Sequence, residues 1–336
     1  MSSTRRSPPS TAAIALALLI VYVVWGSTYL GIAIMIETLP PLLAAGVRYG
    51  AAGLLVVGAL VAVARLRPDA QPIERPTAAH WRAAFIVGAL LLLGGNGGVV
   101  LAELFIPSGI AAVIVATTPI WLALFDALLS RRWPSGLVMG GIVAGIVGVA
   151  ILLAPLGEVG RINPIGIVLC LLAEISWAAG SLYARRAPMP RSAFLGTGLE
   201  MLAGGLALIL AGALLGEIGR THVETFSLRS LLALGYLIVF GSIVAFTAYT
   251  WLLANAPITT VATHAYVNPI VAVALGALVL SEPITPRTLL ATAIIIGAVV
   301  AMVSGRPRDV EEVGRSADAT TAEPSEAGQE PAVRHD

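Results

Sequence analysis

The chain contains the stretch Pro107-Ser108-Gly109-Ile110-Ala111-Ala112-Val113-Ile114-Val115-Ala116-Thr117-Thr118-Pro119-Ile120. At an offset of 150 residues it contains a second stretch of the same pattern, Pro257-Ile258-Thr259-Thr260-Val261-Ala262-Thr263-His264-Ala265-Tyr266-Val267-Asn268-Pro269-Ile270. Each stretch has one proline at the mouth of an apolar helix and another inside it. A membrane helix tolerates an interior proline only where protein or cavity water satisfies the freed carbonyl. Interrupted hydrophobic segments at matching positions of two halves are typical of a transporter's binding site. The alternative is two unrelated kinked helices, because proline is common in membrane spans.

The composition indicates a protein that lies in a membrane. Hydrophobic residues make up 57% of the chain and charged residues 12%, whereas a soluble domain carries about 25% charged residues. Most of the outer surface must therefore face lipid. All 20 basic residues are arginines, which together with abundant alanine, glycine and proline suggests a bacterial source. Cys170 is the single cysteine, so an intrachain disulfide and a cysteine-based metal site are excluded.

Apolar runs of about 20 residues, the length that crosses a bilayer, recur along the chain. Ten runs are predicted as spans and are numbered one to ten throughout: 12–36, 41–64, 82–102, 108–129, 135–154, 164–184, 192–215, 230–252, 258–280 and 287–304. The first is too long for a signal-peptide core, so it is interpreted as an uncleaved span after a cytoplasmic N-terminal segment, 1–11. Residues 305–336 are polar and rich in carboxylates, which predicts a disordered cytoplasmic tail.

The distribution of arginines predicts the orientation of the spans. With a cytoplasmic N-terminus, the outer side carries only Arg161, Arg220, Arg229 and Arg287. The inner side then carries Arg5, Arg6, Arg65, Arg67, Arg75, Arg82, Arg131, Arg132, Arg185, Arg186, Arg191, Arg306, Arg308, Arg315 and Arg334. Arginine and lysine concentrate on the cytoplasmic side of membrane proteins. We therefore expect a multi-pass protein of the bacterial cytoplasmic (inner) membrane with both termini in the cytoplasm.

Further matches between the two halves indicate an internal duplication. Residues 41–60 align with 193–212, and small residues such as Gly46 and Gly198, or Gly53 and Gly205, fall in phase. Small residues allow close helix packing in lipid. The segment 25–29 likewise resembles 177–183, and both begin with tryptophan. Five spans per half form an odd number, which inverts the second half in the membrane. The predicted fold is an all-α integral membrane protein of ten transmembrane helices, arranged as two inverted five-helix repeats over 12–154 and 155–304.

Together these features resemble the drug/metabolite transporter superfamily, EamA family. They are Trp25-Gly26-Ser27, Arg48 and the two proline-containing spans, and the resemblance is closest to the YedA-like branch. It implies ten helices with both termini inside, and transport of small solutes through a central cavity by alternating access. Many relatives export amino acids or related metabolites. The chain departs from the pattern at one place, because Ser130-Arg131-Arg132 stands in the first half where the second has Ser281-Glu282-Pro283.

Four ionisable residues in the spans have both a functional and a structural interpretation. Arg48 either anchors an anionic substrate group or bonds helix carbonyls or Glu37. Glu174 and Glu200 are candidates for proton coupling, because low dielectric favours the protonated acid. As alternatives, Glu174 bonds a neighbouring helix and Glu200 reaches the inner interface. His264 either titrates or is a neutral hydrogen-bonded histidine.

Other polar and aromatic residues of the spans either line the cavity or join helices. The predicted substrate cavity comprises Trp25, Ser27, Tyr29, Arg48, Asn96, Thr117, Thr118, Trp177, Ser181, Tyr183, His264, Tyr266 and Asn268. Pro119 and Pro269 are predicted to bend their spans. We expect no cofactor, no metal and no nucleic-acid partner. The expected partners are a small-molecule substrate and the lipid bilayer, with the chain acting as a monomer.

These features favour a secondary transporter that exports small metabolites, amino acids or related compounds, with proton coupling as one mode of drive. A multidrug or sugar-type exporter of the same fold is the alternative. A membrane-embedded enzyme is the competing class. An aspartyl protease needs two buried aspartates, and Asp126 is the only candidate. A serine protease would pair Ser108 with His264, which lie at different depths of their spans. Paired charges in the cavity would favour amino acids, and an aromatic box would favour drugs.

Overall fold

The computed structural model describes residues 10–66, 73–131, 133–153, 163–256, 258–261 and 263–304, and within these ranges the chain is helical without strands. The helices of the first half are Thr11–Met35, Pro41–Leu66, Ala78–Gly88, Ala89–Gly97, Gly98–Ala102, Ser108–Val115, Thr118–Ser130 and Gly136–Leu153. Those of the second half are Pro164–Ala184, Ala193–Leu214, Ile218–Arg220, Val223–Thr225, Leu228–Tyr236, Leu237–Val244, Ala245–Asn255, Ile258–Val261, His264–Leu280 and Pro286–Ser304. Pro257, most of the predicted N-terminal segment and the predicted tail lie outside the described residues.

Seven helical segments of the described chain are long and apolar enough to cross a membrane. They are Thr11–Met35, Pro41–Leu66, Ala78–Ala102, Ser108–Leu129, Pro164–Ala184, Ala193–Leu214 and Leu228–Leu252. Shorter apolar helices lie at predicted spans five, nine and ten, namely Gly136–Leu152, His264–Leu280 and Pro286–Met302. Large side chains such as Leu54, Leu214 and Leu278 are exposed on the outside of the bundle. Such a surface suits lipid, in which exposed leucine carries no penalty.

Two clusters of buried side chains form the interior. One contains Ile114, Ile167 and Ile295 and joins spans three to six with span ten. The other contains Leu42 and Leu208 and joins spans one to three with spans seven and eight. Because spans of both halves contribute to each cluster, the halves pack together as one body.

Spans two and seven cross at glycines that meet in reciprocal pairs. A Cβ atom on Gly46 would lie 2.9 Å from the carbonyl oxygen of Gly205, and one on Gly53 would lie 2.9 Å from that of Gly198. A Cβ on Gly205 would lie 2.6 Å from the backbone nitrogen of Gly50. The backbones are thus in direct contact, as expected of small residues at membrane helix crossings. Gly46 and Gly198 are equivalent in the repeat, as are Gly53 and Gly205, so the contact has local two-fold symmetry.

Matching irregularities also relate the two halves. Span three contains a π-helical stretch, Ala89–Gly97, and span eight contains another, Leu237–Val244. The helices of spans four and nine end on residues in the left-handed region, Arg131 with φ 54° and Ser281 with φ 55°. Those two residues are also 150 positions apart. The duplicated sequence therefore produces duplicated departures from α-helical geometry.

A carboxylate joins the end of span nine to the start of span four. Glu282 Oε1 accepts hydrogen bonds from the backbone nitrogen and the hydroxyl of Ser108, both at 2.8 Å, and Oε2 accepts one from Gly109 N at 3.1 Å. Gly276 leaves room for this approach, because a Cβ there would lie 3.1 Å from Ser108 Oγ. The contact among these four residues is called the Glu282 seam below. It satisfies helix N–H groups that have no partner within their own helix.

Two further carboxylates bind backbone N–H groups at or near helix starts in the same way. Glu217, which follows span seven, accepts from Leu42 N at 3.1 Å and from Leu43 N at 2.9 Å, at the start of span two. Glu74, which follows span two, accepts from Arg191 N at 2.9 Å, just before span seven. An anion at a helix N-terminus is favourable because it faces free N–H groups and the positive end of the helix dipole. These contacts therefore fix the ends of spans two and seven against each other.

Candidate functional site

Span four is interrupted one turn before its interior proline. Its first helix, Ser108–Val115, ends at the Ala116–Thr117 turn, and the second helix begins at Thr118 with Pro119 in its first turn. Pro119 leaves the carbonyl of Val115 without its helical partner. The hydroxyl of Thr118 bonds that carbonyl at 2.6 Å. A side chain of the same span therefore supplies the missing hydrogen bond beside Pro119.

The hydroxyl of Thr118 also contacts Glu174 of span six. Glu174 is 3% exposed, and its Oε2 shares a short hydrogen bond with Thr118 Oγ1. A hydroxyl has one proton, and the carbonyl of Val115 only accepts hydrogen bonds. Thr118 Oγ1 is therefore shared as a donor between the Val115 carbonyl and Glu174 Oε2. The interruption of span four thus places a buried acid against the hydroxyl that bonds the freed carbonyl.

Span nine is interrupted N-terminal to its interior proline. Pro269 lies inside the helix His264–Leu280, and the interruption comes before His264, at Thr263. Thr263 Oγ1 donates to the Thr260 carbonyl at 2.5 Å, and His264 Nδ1 lies 2.8 Å from the Val261 carbonyl. Side chains that bond carbonyls of the preceding turn compete with the helical hydrogen bonds. This competition accounts for an interruption located N-terminal to the proline.

Three ring side chains meet beside this interruption. The ring centroids of Trp25 and Tyr249 are 4.9 Å apart, those of Trp25 and His264 are 5.4 Å apart, and those of Tyr249 and His264 are 5.6 Å apart. Trp25 Nε1 donates to the carbonyl of Gly241 at 3.3 Å, within the π-helical stretch of span eight. Spans one, eight and nine therefore form an aromatic group, and sequence reasoning had found Trp25 and His264 but not Tyr249.

Arg48 is buried, with 5% of its surface exposed, and it bonds span eight. Its Nε donates to Ser242 Oγ at 3.0 Å, and its guanidinium lies 4.7 Å from the ring centroid of Tyr49. Glu37, the partner considered from the sequence, instead lies 3.5 Å from Arg229. Arg48 is thus fixed by a neutral hydroxyl and an aromatic face, an arrangement that leaves its positive charge uncompensated by Glu37.

The π-helical stretch of span three contacts span six in a related way. Ser176 Oγ donates to the Leu90 carbonyl at 2.7 Å, and a Cβ on Gly95 would lie 2.9 Å from Trp177 Cε3. Asn96 Nδ2 lies 3.4 Å from the Leu91 carbonyl within the stretch itself. The tryptophan of span one contacts the π-helical stretch of span eight, and the tryptophan of span six contacts that of span three. π-Helical segments occur frequently at functional sites.

The remaining predicted residues are dispersed. Ser27 Oγ lies 2.6 Å from the hydroxyl of Tyr236, and Tyr29 packs against the cluster that contains Ile114. Asn268 is buried, with its Oδ1 lacking a hydrogen-bond partner among the described residues. Three others are half-buried: Ser181, Tyr183 and Tyr266. Thr117 bonds the Ile114 carbonyl at 2.6 Å, within its own span. Glu200 is half-buried on span seven, whose backbone packs closely on Gly88 of span three.

Sequence reasoning missed Tyr236, Ser242, Tyr249 and Glu103. The first three lie in span eight, where no proline marks an irregularity. Glu103 follows the last residue of predicted span three and therefore resembles a loop residue. Its side chain, however, turns inward, because both carboxylate oxygens are covered from solvent. The signal that could have found it is an acid placed between an apolar run and Pro107.

Comparison with known proteins relates this arrangement to a family. The model of the EamA-like transporter family matches the chain twice, over residues 12–154 and 164–304. The chain belongs to the EamA-like transporter family. It is 40% identical over 291 residues to the uncharacterized inner membrane transporter YedA of Escherichia coli K12, which is 86% of this chain and 90% of that protein. The assignment to the YedA-like branch of the drug/metabolite transporters is thereby confirmed.

Two further comparisons involve proteins of lower sequence identity. The chain is 26% identical over 308 residues to a probable amino-acid metabolite efflux pump of Escherichia coli K12, covering 89% of this chain and 97% of that protein. A solved crystal structure with 17% identity covers 87% of this chain and 96% of its own chain, with a TM-score of 0.55. At that identity the likeness shows a shared fold alone. EamA family membership makes the chain a multi-pass inner-membrane transporter, and it argues against the enzyme interpretation.

Proposed function

We propose that this EamA transporter is a secondary exporter of amino acids or related small metabolites. The observation that carries the proposal is the burial of two separate side chains, the basic Arg48 and the acidic Glu174, in otherwise apolar spans. An amino acid presents a carboxylate and an ammonium group, and a site for it needs one group of each sign. Ionisable residues within membrane spans mark substrate or proton pathways because they are costly to place there. The amino-acid metabolite efflux pump to which the chain is similar supports the same substrate class.

Alternating access is proposed to use the interrupted spans four and nine. An interrupted helix bends at its break with little loss of backbone hydrogen bonding, because side chains already bond the carbonyls there. Glu174 bonds Thr118 at the break of span four, so gain or loss of its proton acts directly on that break. We propose Glu174 as a proton carrier of the transport cycle, with Glu200 as the second candidate. The transporter is proposed to work as a monomer in the bilayer.

A multidrug or sugar-type exporter is the second candidate function. The observation that favours it is the aromatic group of Trp25, Tyr249 and His264. Aromatic rings bind lipophilic cations and sugar rings through their faces, and this binding does not require a partner of opposite charge. The two functions therefore differ in whether Arg48 or the aromatic group dominates substrate affinity.

Counterflow in liposomes tests the proposal. Full-length protein is reconstituted, the liposomes are loaded with one unlabelled compound, and uptake of the labelled compound is measured for panels of amino acids, drugs and sugars. We expect amino acids to exchange. Arg48→Leu should raise their KM by about tenfold or more, which corresponds to about 1.4 kcal/mol of binding. Arg229→Leu, which removes an arginine that is 52% exposed, should leave KM unchanged. Exchange of drugs or sugars without amino acids would refute the proposal in favour of the second candidate.

Ten spans with both termini in the cytoplasm are proposed as the topology. Under this topology the loop at Thr221 is periplasmic and the loop at Trp133 is cytoplasmic. An enzyme reporter that works only in the periplasm should be active when it is fused after Thr221. A fluorescent reporter that works only in the cytoplasm should be active when it is fused after Trp133, because arginines cluster on the cytoplasmic side. The same orientation for both fusions, or the reverse of each, would contradict the topology.

A further inference from the structure

Glu103 differs from the other covered acidic side chains because, in the described part of the chain, its carboxylate has no hydrogen-bond partner. Glu174, Glu217 and Glu282 each share or accept hydrogen bonds through their carboxyl groups. Both carboxylate oxygens of Glu103 are covered from solvent and have no hydrogen-bond partner among the described residues. The next side chains, Leu104 and Phe105, are 48% and 40% exposed. The turn thus lies at the surface of the bundle while the acid of Glu103 points into it.

Burial and the like charge of Glu282 raise the pKa of the Glu103 carboxyl, and they outweigh the Arg48 guanidinium, which lowers it. The charged groups that interact with it electrostatically are Glu282 and Arg48, and the titratable side chains of Tyr29 and Cys170 also face it. The Arg48 guanidinium bonds Ser242 through Nε and lies against Tyr49. Glu282 is the acidic side chain that acts on Glu103, and its charge has the same sign.

An ionised carboxylate in such surroundings is costly. Burying an isolated charge costs many kcal/mol, and the group takes up or releases a proton instead. In this conformation the two oxygens are closed to bulk solvent and to a substrate ammonium group. A proton satisfies the acid without any added volume. We infer that Glu103 is a proton-binding site and that its proton stabilises the closed Glu282 seam.

The coupling follows from the position of Glu103 on the chain. Glu103 precedes Ser108 by one short turn, and Ser108 donates two hydrogen bonds to Glu282. Loss of the Glu103 proton would bring two like charges together beside this seam. The two like charges repel each other, and the new carboxylate is stabilised by hydration. Both effects favour opening of the Glu282 seam, because a buried charge is stabilised only by water or by a counter-charge. Protonation therefore favours a closed seam, and deprotonation favours an open seam.

In the proposed topology the Glu282 seam lies on the periplasmic side, so this inference rests on the proposed function. A proton taken from the periplasm would close the seam after substrate has left, which couples proton entry to export. Glu103 is then distinct from Glu174, which lies at the break of span four. A role of Glu103 as the binding group for a substrate ammonium is the competing outcome.

Infrared spectroscopy of the purified full-length protein tests the inference without any substrate. A protonated carboxylic acid has a carbonyl stretching band that is separate from the bands of a carboxylate. At neutral pH the wild-type protein should show a band that is absent from Glu103→Gln and retained in Glu37→Gln, a control acid at the same end of the bundle. Because the carboxylate makes no hydrogen bond, the isosteric glutamine is expected to fold. If it does not, Glu103→Asp should shift the band. An unchanged acid band in either variant would overturn the inference.

Transport then separates this inference from the proposed function. For a compound that exchanges in the liposome panel, Glu103→Gln should retain exchange and lose accumulation driven by an imposed pH gradient. Retained gradient-driven accumulation would overturn the inference while leaving the proposed function intact. Loss of binding for ammonium-bearing compounds alone would instead identify Glu103 as a substrate group. If no compound of the panel exchanges in the wild type, the proposed function fails and the infrared band alone decides the protonation of Glu103.

Discussion

Leucine in place of Gly205 is expected to prevent recovery of folded protein, whereas leucine in place of Gly58 is expected to leave the yield unchanged. A Cβ on Gly205 would lie 2.6 Å from Gly50 N and 3.0 Å from the Gly46 carbonyl oxygen, both backbone atoms. Overpacking against movable side chains already costs about 1–3 kcal/mol. Backbone atoms of a helix cannot turn away, so spans two and seven must separate. Gly58 lies on the same span as Gly46 and has no atom within 4 Å of its Cβ position.

Size-exclusion chromatography of fluorescently tagged protein measures this outcome directly. Gly205→Leu should appear as aggregate, and Gly58→Leu should give the monodisperse peak of the wild type. Gly205→Ala should fall between them, because a single methyl group meets the same backbone atoms with fewer further clashes. A monodisperse peak and unchanged thermal stability for Gly205→Leu would show that the direct contact of spans two and seven is not essential for the fold.

The close crossing of spans two and seven was partly accessible from the sequence. The in-phase glycines predict a tight contact, because small residues mark helix crossings in lipid. Phase alone does not say which glycine meets which, since a helix face carries several. The observed pairs, Gly46 with Gly205 and Gly53 with Gly198, follow from the relative depth of the two spans. That depth is set by distant contacts such as Glu217 on Leu42 and Leu43.

Some of the helix irregularities could likewise be predicted from the sequence, and others could not. The interruption of span four was predictable because Pro119 removes a hydrogen bond by its own covalent structure. The π-helical stretches were not predictable from their apolar sequences. Their carbonyl partners come from other spans, Ser176 for Leu90 and Trp25 for Gly241. In span nine the local bonds of Thr263 and His264 determined the break, a competition that the position of Pro269 does not reveal.

For the candidate site, the burial of single ionisable residues could be predicted from the sequence, whereas their hydrogen-bond partners could not. Arg48 and Glu174 are buried, as their place in apolar runs indicates. Their partners, Ser242 and Thr118, lie far away in sequence, so the sequence could not choose between Glu37 and a hydroxyl for Arg48. The burial of these residues can be predicted from the apolar composition of their spans. Their hydrogen-bond partners depend on how the spans pack, which a single sequence does not show.

Alanine in place of Glu282 is expected to open the Glu282 seam. The substitution removes hydrogen bonds from Ser108 N, Ser108 Oγ and Gly109 N. Hydrogen bonds to a charged group contribute about 1.5–3 kcal/mol each, and the positive end of the span four helix dipole loses its anion. In the sequence of the first repeat, Arg132 stands at the position of Glu282, and an arginine side chain donates hydrogen bonds but does not accept them. Glu282 is therefore expected to bias the transporter toward closure on this side.

Thiol labelling measures the opening. Ile110→Cys, in a Cys170→Ala background, places a reporter two residues beyond Ser108 at a position that is 4% exposed. Adding Glu282→Ala should speed its reaction with a membrane-impermeant reagent, applied from outside, by about tenfold or more, because a loss of 1.4 kcal/mol already shifts an opening equilibrium tenfold. Glu282→Gln should give a smaller increase, since an amide oxygen still accepts one of the bonds. Glu224→Ala, an exposed acid that pairs with His222 in the outer loop, should leave the rate unchanged. Equal labelling rates in Glu282→Ala and Glu224→Ala would show that Glu282 caps span four without controlling access to the cavity.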